Sequence, residues 1–347
     1  MRKRNETILR QIPAALLSWY RQNKRTLPWR QAPTPYHIWI SEIMLQQTRV
    51  EAVKEYYTRF IQALPTVADL AACKEEELLK LWEGLGYYSR ARNLQRAAKS
   101  VVLYFDGELP SDTESLKTLA GIGDYTAGAI ASIAFGKREA AVDGNVLRVI
   151  TRLTEDPTPV SDAAYKKYLQ AALTEVYPKE GRDCADFTQS LFELGALVCK
   201  PQNPDCKSCP LQGICRGYQN GTARSFPVFP PKREKRIEEV FVFLLQTPEG
   251  FAIRRRESGV LKGMNEFPSQ TVWGETPESV LNEWGVYDFT EVKRKKYTHI
   301  FTHIKWNITC LWVRTGEVPF DAYSLDEIEE TISLPTAFKQ CLSILAD

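Results

Sequence analysis

Up to about residue 217 the apolar residues return every three or four positions, block after block, as in ADLAACKEEELLKLWEGLG (68–86) and AAYKKYLQAALTEVY (163–177). This spacing predicts helices that each bury one face. Past residue 237 the period drops to two. EEVFVFLLQT (238–247), a PEG turn, FAIRRRE (251–257) and KWNITCLWVR (305–314) alternate in the manner of half-buried strands. Between the two regimes lies GTARSFPVFPPKREKR (221–236), with three prolines, a charge run and no periodicity, which predicts a linker. The expected architecture is multidomain, all-α first and α+β afterwards. The expected boundaries are 1–224, a linker at 225–236, and 237–347, and no internal repeat is visible. A chain of 347 residues is long enough for two cores that need no disulfide.

The first residues, MRKRNETILRQIPAALLSWYRQ, have a basic start, but Arg10 and Gln11 interrupt the apolar run and no small-residue cleavage site follows. A single amphipathic helix is expected there rather than a signal peptide. No run of eighteen apolar residues occurs, so no membrane span is expected. Charge is nearly balanced, with 45 Lys plus Arg against 43 Asp plus Glu, so total charge gives no argument for a nucleic-acid partner. Local clusters do. Residues 199–236 hold Lys200, Lys207, Arg216, Arg224, Lys232, Arg233, Lys235 and Arg236 against Asp205 and Glu234, and residues 293–296 read KRKK. The commoner fate of such runs is a solvated face.

Four of the eight cysteines lie in CKPQNPDCKSCPLQGIC (199–215), with the pattern C-x6-C-x2-C-x5-C. Four thiols so close need a metal in a reducing cell. Zinc usually takes two separated C-x2-C pairs, but the spacing alone leaves zinc and an iron–sulfur cluster both open. Cys73, Cys184, Cys310 and Cys341 sit in apolar-periodic segments, as buried free thiols in a reducing compartment would, and a cytoplasmic location is expected.

SLKTLAGIGDYTAGAIASIAF (115–135) predicts a helix, a tight Gly121-Ile122-Gly123 hairpin and a second helix from about Tyr125. The N–H groups that open the second helix have no partners inside it and suit a phosphate; the plain alternative is a helix-turn-helix corner.

The hairpin LAGIGDYTA, the segment AVDGNVLRV (141–149) and the four-cysteine spacing together resemble the helix-hairpin-helix glycosylases of the endonuclease III superfamily. WISEIMLQQTRV (39–50) narrows the resemblance to the adenine DNA glycosylases of the MutY type. The similarity runs in order over almost the whole chain. It implies a monofunctional base-excision enzyme that hydrolyses the N-glycosidic bond of adenine mispaired with 8-oxoguanine or guanine in duplex DNA. It also implies a 4Fe-4S cluster on Cys199, Cys206, Cys209 and Cys215, and Gly121, Gly123 and Lys207 beside DNA phosphates. A monomer, with no membrane partner, is expected.

Glu42 is the expected general acid. Ile38, Trp39, Leu45 and Gln46 lie three or four residues away on the same helix, a largely apolar setting that raises a carboxyl pKa. By itself it also reads as an ordinary Glu at the rim of a core. The resemblance has Glu42 protonate the adenine, and Asp143, otherwise an N-cap, stabilise the oxocarbenium-like sugar with help from Asn145. Tyr125 stands where lyase-capable relatives carry a Schiff-base lysine, which implies base removal without strand cutting. Substrate contacts are implied for Arg25, Trp29 and Arg30 around LPWR, for Leu45, Gln46, Gln47 and Thr48, for Leu85 and Tyr87, and for Gln189. Gln47 and Tyr87 match wedge positions beside the damaged guanine.

The C-terminal domain resembles a Nudix fold, which raises a competing activity, hydrolysis of damaged nucleotides. That chemistry needs several carboxylates on one helix to hold magnesium, in the pattern REUxEExGU. The matching ESVLNEWGV (278–286) has Ser279 and Asn282 where two acids should be and keeps Glu283. A reading domain remains, with Phe301, Thr302 and His303 in HIFTHIKW resembling the loop that senses 8-oxoguanine. Thr302 departs from the family's usual serine. A non-catalytic DNA-binding protein with a structural cluster is the third reading, and the joint presence of Glu42 and Asp143 speaks against it.

Overall fold

The computed structural model describes residues 2–179, 181–231 and 234–346. Lys232 and Arg233 of the basic cluster, and Met1, Glu180 and Asp347 of the expected domains, lie outside the described residues. Contacts divide the chain into two units. One comprises Met1–Ala72 with Arg92–Pro231, the other Cys73–Ala91 with Lys232–Asp347.

The first unit is helical, as the period of three to four requires. Its amino-terminal segment is two helices rather than one, Arg2–Leu9 and Ile12–Asn23. The break falls at Arg10-Gln11 because Pro13, in the first turn of the second helix, has no N–H to continue the first. Leu9, Ile12 and Leu16 then pack on Val146, Ile150, Phe187 and Leu191 in a core under helices Gly144–Thr154 and Arg182–Glu193. The hairpin is built from helix Thr113–Lys117, a turn, and helix Asp124–Phe135. Gly121 has φ +80, and a Cβ there would sit 2.9 Å from the Cβ of Asn93, so this glycine is needed for packing as well as for its left-handed turn. Gly123 is extended and faces open space. It caps the second helix without any side-chain bond, which leaves the helix N–H groups presented. Of the four scattered cysteines, Cys184, Cys310 and Cys341 are buried; Cys73 is partly exposed, contrary to the expectation, because it ends its helix at the surface. The expected linker is not free throughout: the Phe226 carbonyl accepts from Arg152 Nε at 2.9 Å and the Val228 carbonyl from the Val160 N–H at 3.1 Å.

The second unit carries a mixed sheet of seven strands: β1 (Arg236–Thr247), β2 (Gly250–Arg255), β3 (Asn265–Glu266), β4 (Ser269–Thr271), β5 (Phe289–Ile300), β6 (Ile304–Thr315) and β7 (Asp321–Tyr323). The order is β3-β2-β1-β6-β5, with β4 on β1 and β7 on β2. β1 and β6 run parallel from Arg236↔Ile304 to Gln246↔Arg314; the other pairs are antiparallel. The alternation along β1 divides its side chains between two cores. Val240, Val242 and Leu244 pack with Ile308, Cys310 and Phe338 on one face, and Phe243 and Leu245 pack with Val280, Leu281 and Val313 on the other. The KRKK run lies on β5, an edge strand, where lysines blunt the exposed backbone against further pairing.

Helix Glu75–Leu81 belongs to this second unit, tied by Lys80 Nζ to the carbonyls of Glu329 (2.5 Å) and Ile332 (3.1 Å) and by Ser333 Oγ to the Leu79 carbonyl (3.0 Å). A division read from chain order has no means of seeing this exchange. On helix Pro277–Glu283, Ser279 closes a capping box with Thr276. The position where a Nudix enzyme needs a carboxylate is therefore occupied by a helix cap.

Candidate active site

Helix Pro35–Leu45 starts on Thr34, whose hydroxyl caps the His37 N–H, and carries Glu42 on a face buried with Ile38, Trp39 and Ile43. Glu42 is only 5% exposed, and Tyr125, one residue into helix Asp124–Phe135, donates its hydroxyl to Glu42 Oε2 at 2.6 Å. Burial pushes the Glu42 carboxyl from 4.5 up to about 7; the Tyr125 hydrogen bond opposes this and the nearby Asp143 charge adds to it. The Tyr125 phenol is raised well above 10 by its own burial and by the two carboxylates, so it serves as a fixed donor.

Asp143 caps helix Gly144–Thr154 and also faces the pocket. Its Oδ1 accepts from the Val146 N–H at 2.7 Å and its Oδ2 from Asn145 Nδ2 at 2.8 Å. Burial raises its pKa above the ordinary value, and these donors and Arg148 offset only part of that rise. The cap and the pocket roles coincide, because the N-cap side chain must turn back over the helix end.

Arg25, Leu27, Trp29, Arg30, Glu42, Leu45, Thr48, Tyr125, Asp143, Asn145 and Gln189 line one hollow of about 160 Å³, room for a single planar heterocycle. Arg30 donates Nε to Gln189 Oε1 at 2.7 Å. Gln46 reaches Thr126 Oγ1 at 3.3 Å, outside that hollow, and Gln47 is exposed with φ +58 at the end of the Glu42 helix. A residue missed from sequence joins the set. Glu193, wholly buried, pairs with Arg25 Nε at 2.8 Å and Arg30 Nη1 at 2.5 Å. It follows Gln189 by four residues, a helical neighbour on the same face, and that spacing was the available signal.

The cysteine segment lies against the same helix as Asn145. Cys199, Cys206, Cys209 and Cys215 line a common hollow with Arg152. Burial pushes the Cys209 thiol up to about 12, with the neighbouring sulfurs adding to it. Among the described residues no three His, Cys, Asp or Glu side chains converge on the position of one metal ion. Four soft sulfur donors surrounding one shared hollow fit a polynuclear metal cluster. Arg148 and Arg152, also missed, brace this loop. Arg148 donates to the Cys199 carbonyl (2.8 Å), the Gly195 carbonyl (2.9 Å) and Asn145 Oδ1 (2.8 Å). Arg152 reaches Cys199 Sγ at 3.4 Å and the carbonyls of Lys200 and Pro201 at 2.7 and 2.6 Å. A Cβ on Gly195 would come within 2.6 Å of the Asn145 Cβ, so glycine lets this packing close. Lys207 is exposed on a single 3-10 turn between two of the cysteines.

In the second unit, Leu85 is buried and Tyr87 is 47% exposed with φ +50. Arg90 holds this loop by donating to the carbonyls of Leu85 and Gly86 at 3.2 and 3.0 Å, and its guanidinium lies 5.6 Å from the Tyr87 ring centre. The tip between β5 and β6 is closed by the Phe301 N–H on the Ile304 carbonyl (2.8 Å) and by Lys235 Nζ on the Phe301 carbonyl (2.7 Å). Phe301 is half-buried, edge-on to Trp306 at 4.8 Å, while Thr302 and His303 project outward. Tyr87 and Thr302 share a 2.9 Å hydrogen bond, which joins two residues 215 positions apart.

Residues 40–177 match the HhH-GPD superfamily of base excision DNA repair proteins, and residues 240–343 match the NUDIX domain. An adenine DNA glycosylase of Buchnera aphidicola (subsp. Baizongia pistaciae) is 32% identical over 87% of this chain and 86% of its own length. The chain belongs to the adenine DNA glycosylase family. The mouse adenine DNA glycosylase is 38% identical over 74% of this chain, which spans 60% of that longer relative. The helical part of this family member is also similar to an endonuclease III captured as a trapped covalent intermediate with DNA. There the TM-score is 0.53 at 27% identity, over 62% of this chain and 98% of that one. Among the described residues no helix is long and apolar enough to cross a membrane.

Proposed function

We propose that the protein is a monofunctional adenine DNA glycosylase that removes adenine opposite 8-oxoguanine or guanine in duplex DNA. The observation that carries this reading is the pair of buried carboxyl groups, with different hydrogen-bond partners, in one base-sized pocket. Glu42 is raised to about 7 and held by Tyr125, and Asp143 is fixed by two donors at a helix start.

The flipped adenosine enters the pocket with its base toward Arg30, Gln189 and Glu42. Tyr125 occupies Glu42 Oε2, so the acid proton goes from the other oxygen to N7 of the base. The C1′–N9 electron pair leaves with the base. Asp143, steered by Asn145, stabilises the cationic sugar, and Glu42, now ionised, takes the proton of the attacking water. Gln47 fills the vacated stack, and Gly121, Gly123 and Lys207 hold phosphates. Cys199, Cys206, Cys209 and Cys215 would hold a 4Fe-4S cluster, which supplies rigidity and charge to the Lys207 loop. The first unit (Met1–Ala72 with Arg92–Pro231) acts as the catalytic part and the second (Cys73–Ala91 with Lys232–Asp347) as the reading part, so the expected division 1–224, 225–236 and 237–347 is adjusted by the exchange of residues 73–91, and one copy suffices. The capped Ser279 and exposed Asn282 leave no magnesium site of the Nudix pattern.

The decisive assay incubates the protein with duplexes holding A opposite 8-oxoguanine, G or T and then heats them with alkali. Cleavage at A in the first two and none in the third is expected, and no cleavage in any overturns the reading. Tyr125→Lys is expected to give a borohydride-trappable adduct with the abasic product. An adduct trapped with the unmodified protein would contradict the monofunctional part.

The Thr302 hydroxyl and backbone carbonyl can accept the N7 hydrogen that distinguishes 8-oxoguanine from guanine. Changing Thr302 and His303 together to Ala is expected to weaken selection for 8-oxoguanine over G by about 1 to 3 kcal/mol, with excision opposite G comparatively intact. Equal losses on both duplexes would make the loop mere scaffolding.

A further inference from the structure

The base pocket is the middle one of three adjoining hollows in the helical unit. A front hollow shares Leu45, Tyr125 and Asp143 with it and carries Gln47 and Lys166. A rear hollow of about 730 Å³ shares Arg25, Leu27, Arg30, Ile38, Ile133 and Gln189 with it. Gln47 marks the front as the duplex side. The rear hollow touches neither Glu42 nor Asp143.

Three of the six shared wall residues are long polar side chains secured mainly by other side chains, Arg30 Nε on Gln189 Oε1 (2.7 Å) and Arg25 Nε on Glu193 Oε2 (2.8 Å). Opening this wall takes rotamer changes of these three side chains, in which Arg25 and Arg30 exchange their bonds to the buried Glu193, and Arg30 and Gln189 their bonds to the Arg25 and Ala185 carbonyls, for bonds to the passing base or water. Behind it two glycines line the space. Gly136 lets the backbones approach, with the Gly181 N–H on the Gly136 carbonyl at 2.8 Å, and beside Gly181 the space is open, since a Cβ there would find no atom within 4 Å. The hollow offers what a free purine needs: donors from Lys24 and Arg182 for ring nitrogens, and for an amino group the Asp186 carboxylate, whose Oδ2 also accepts from Arg21 Nε at 3.3 Å.

We propose that the rear hollow is a second binding site for the free purine base, through which excised adenine leaves while the abasic strand still covers the front. This rests on the glycosylase reading above. Cleavage returns the C1′–N9 pair to a base already protonated at N7, so the product is neutral and nothing electrostatic holds it to Glu42 or Asp143. The sugar and backbone remain in front of it. The exit that does not require DNA to dissociate is the wall behind.

The test follows adenine labelled within an A:8-oxoguanine duplex under single-turnover conditions. Excision is read by alkaline cleavage, base release by rapid gel filtration, and DNA release with a competitor trap. The unmodified protein is expected to free the base before the DNA. Ala185→Trp, and separately Ala134→Phe, fill the rear hollow without entering the base pocket. Each is expected to leave excision within about twofold and to slow base release at least about tenfold, until it coincides with DNA release. Base that leaves the unmodified protein only together with DNA overturns the proposal, whatever the variants do. So do filled variants that excise and release at the unmodified rate. Absence of excision by the unmodified protein would instead remove the glycosylase reading.

Discussion

Glu42→Gln is expected to lower single-turnover excision of adenine by about 10² to 10⁴, and by more if the same group also handles the water's proton, while duplex binding persists. The amide keeps the shape and the acceptor for Tyr125 but has no proton to give. The same residue sets a pH signature. Its folded pKa is raised from 4.5 to about 7, so the acid form, and with it excision, should fall as pH rises through about 7. Stability follows the same sign. A raised folded pKa means that Glu42's contribution is fully present below its unfolded value and is lost as pH climbs through the folded one. The glutamine variant has no such loss, and above pH 7 it should be more stable than the parent by at most about 3 kcal/mol. Denaturant melts at acid and alkaline pH measure this. Near-normal excision by the variant removes Glu42 from the mechanism, and equal stability at both pH values means that the carboxyl is less desolvated than its 5% exposure indicates.

Cys209→Ser is expected to abolish iron and sulfide binding and, with them, order in residues 199–215 and affinity for duplex DNA. Where a metal site is absent from the unfolded chain its binding free energy is folding free energy, about 10 kcal/mol or more for structural metals. Here no long helix or strand replaces it. The segment consists of short turns, Cys206–Ser208 and Gln212–Ile214, and Arg152 spans from the sulfur of Cys199 to the Pro201 carbonyl. Protein purified without air should be brown and contain iron, and the variant should show faster amide exchange across the segment. Zinc without iron in the unmodified protein would sink the cluster, and an iron-free variant that binds DNA normally would remove its docking role.

While the strands it reads as half-buried carry a core on each face of the sheet, the sequence by itself determined the change from helical to alternating period, the hairpin and the general character of the Glu42 helix. These are local properties: a periodicity of three to four or of two fixes which side chains share a face, and glycine fixes where a turn can form. The roles of Glu42, Asp143 and Tyr125 came from resemblance, because nothing local says that residues 83 positions apart touch at 2.6 Å. Only the tertiary structure decided that Glu193 is the buried counter-charge of Arg25 and Arg30, that residues 73–91 pack with the carboxy-terminal unit, and that Tyr87 meets Thr302. It also decided that Cys73 stays partly exposed, whereas the break at Arg10-Gln11 is local, set by Pro13, and was legible in the sequence. The physical reason is one of range. A helix or a turn is selected by neighbours a few residues away, whereas a desolvated carboxyl, an ion pair or a hollow exists only when distant segments exclude water together.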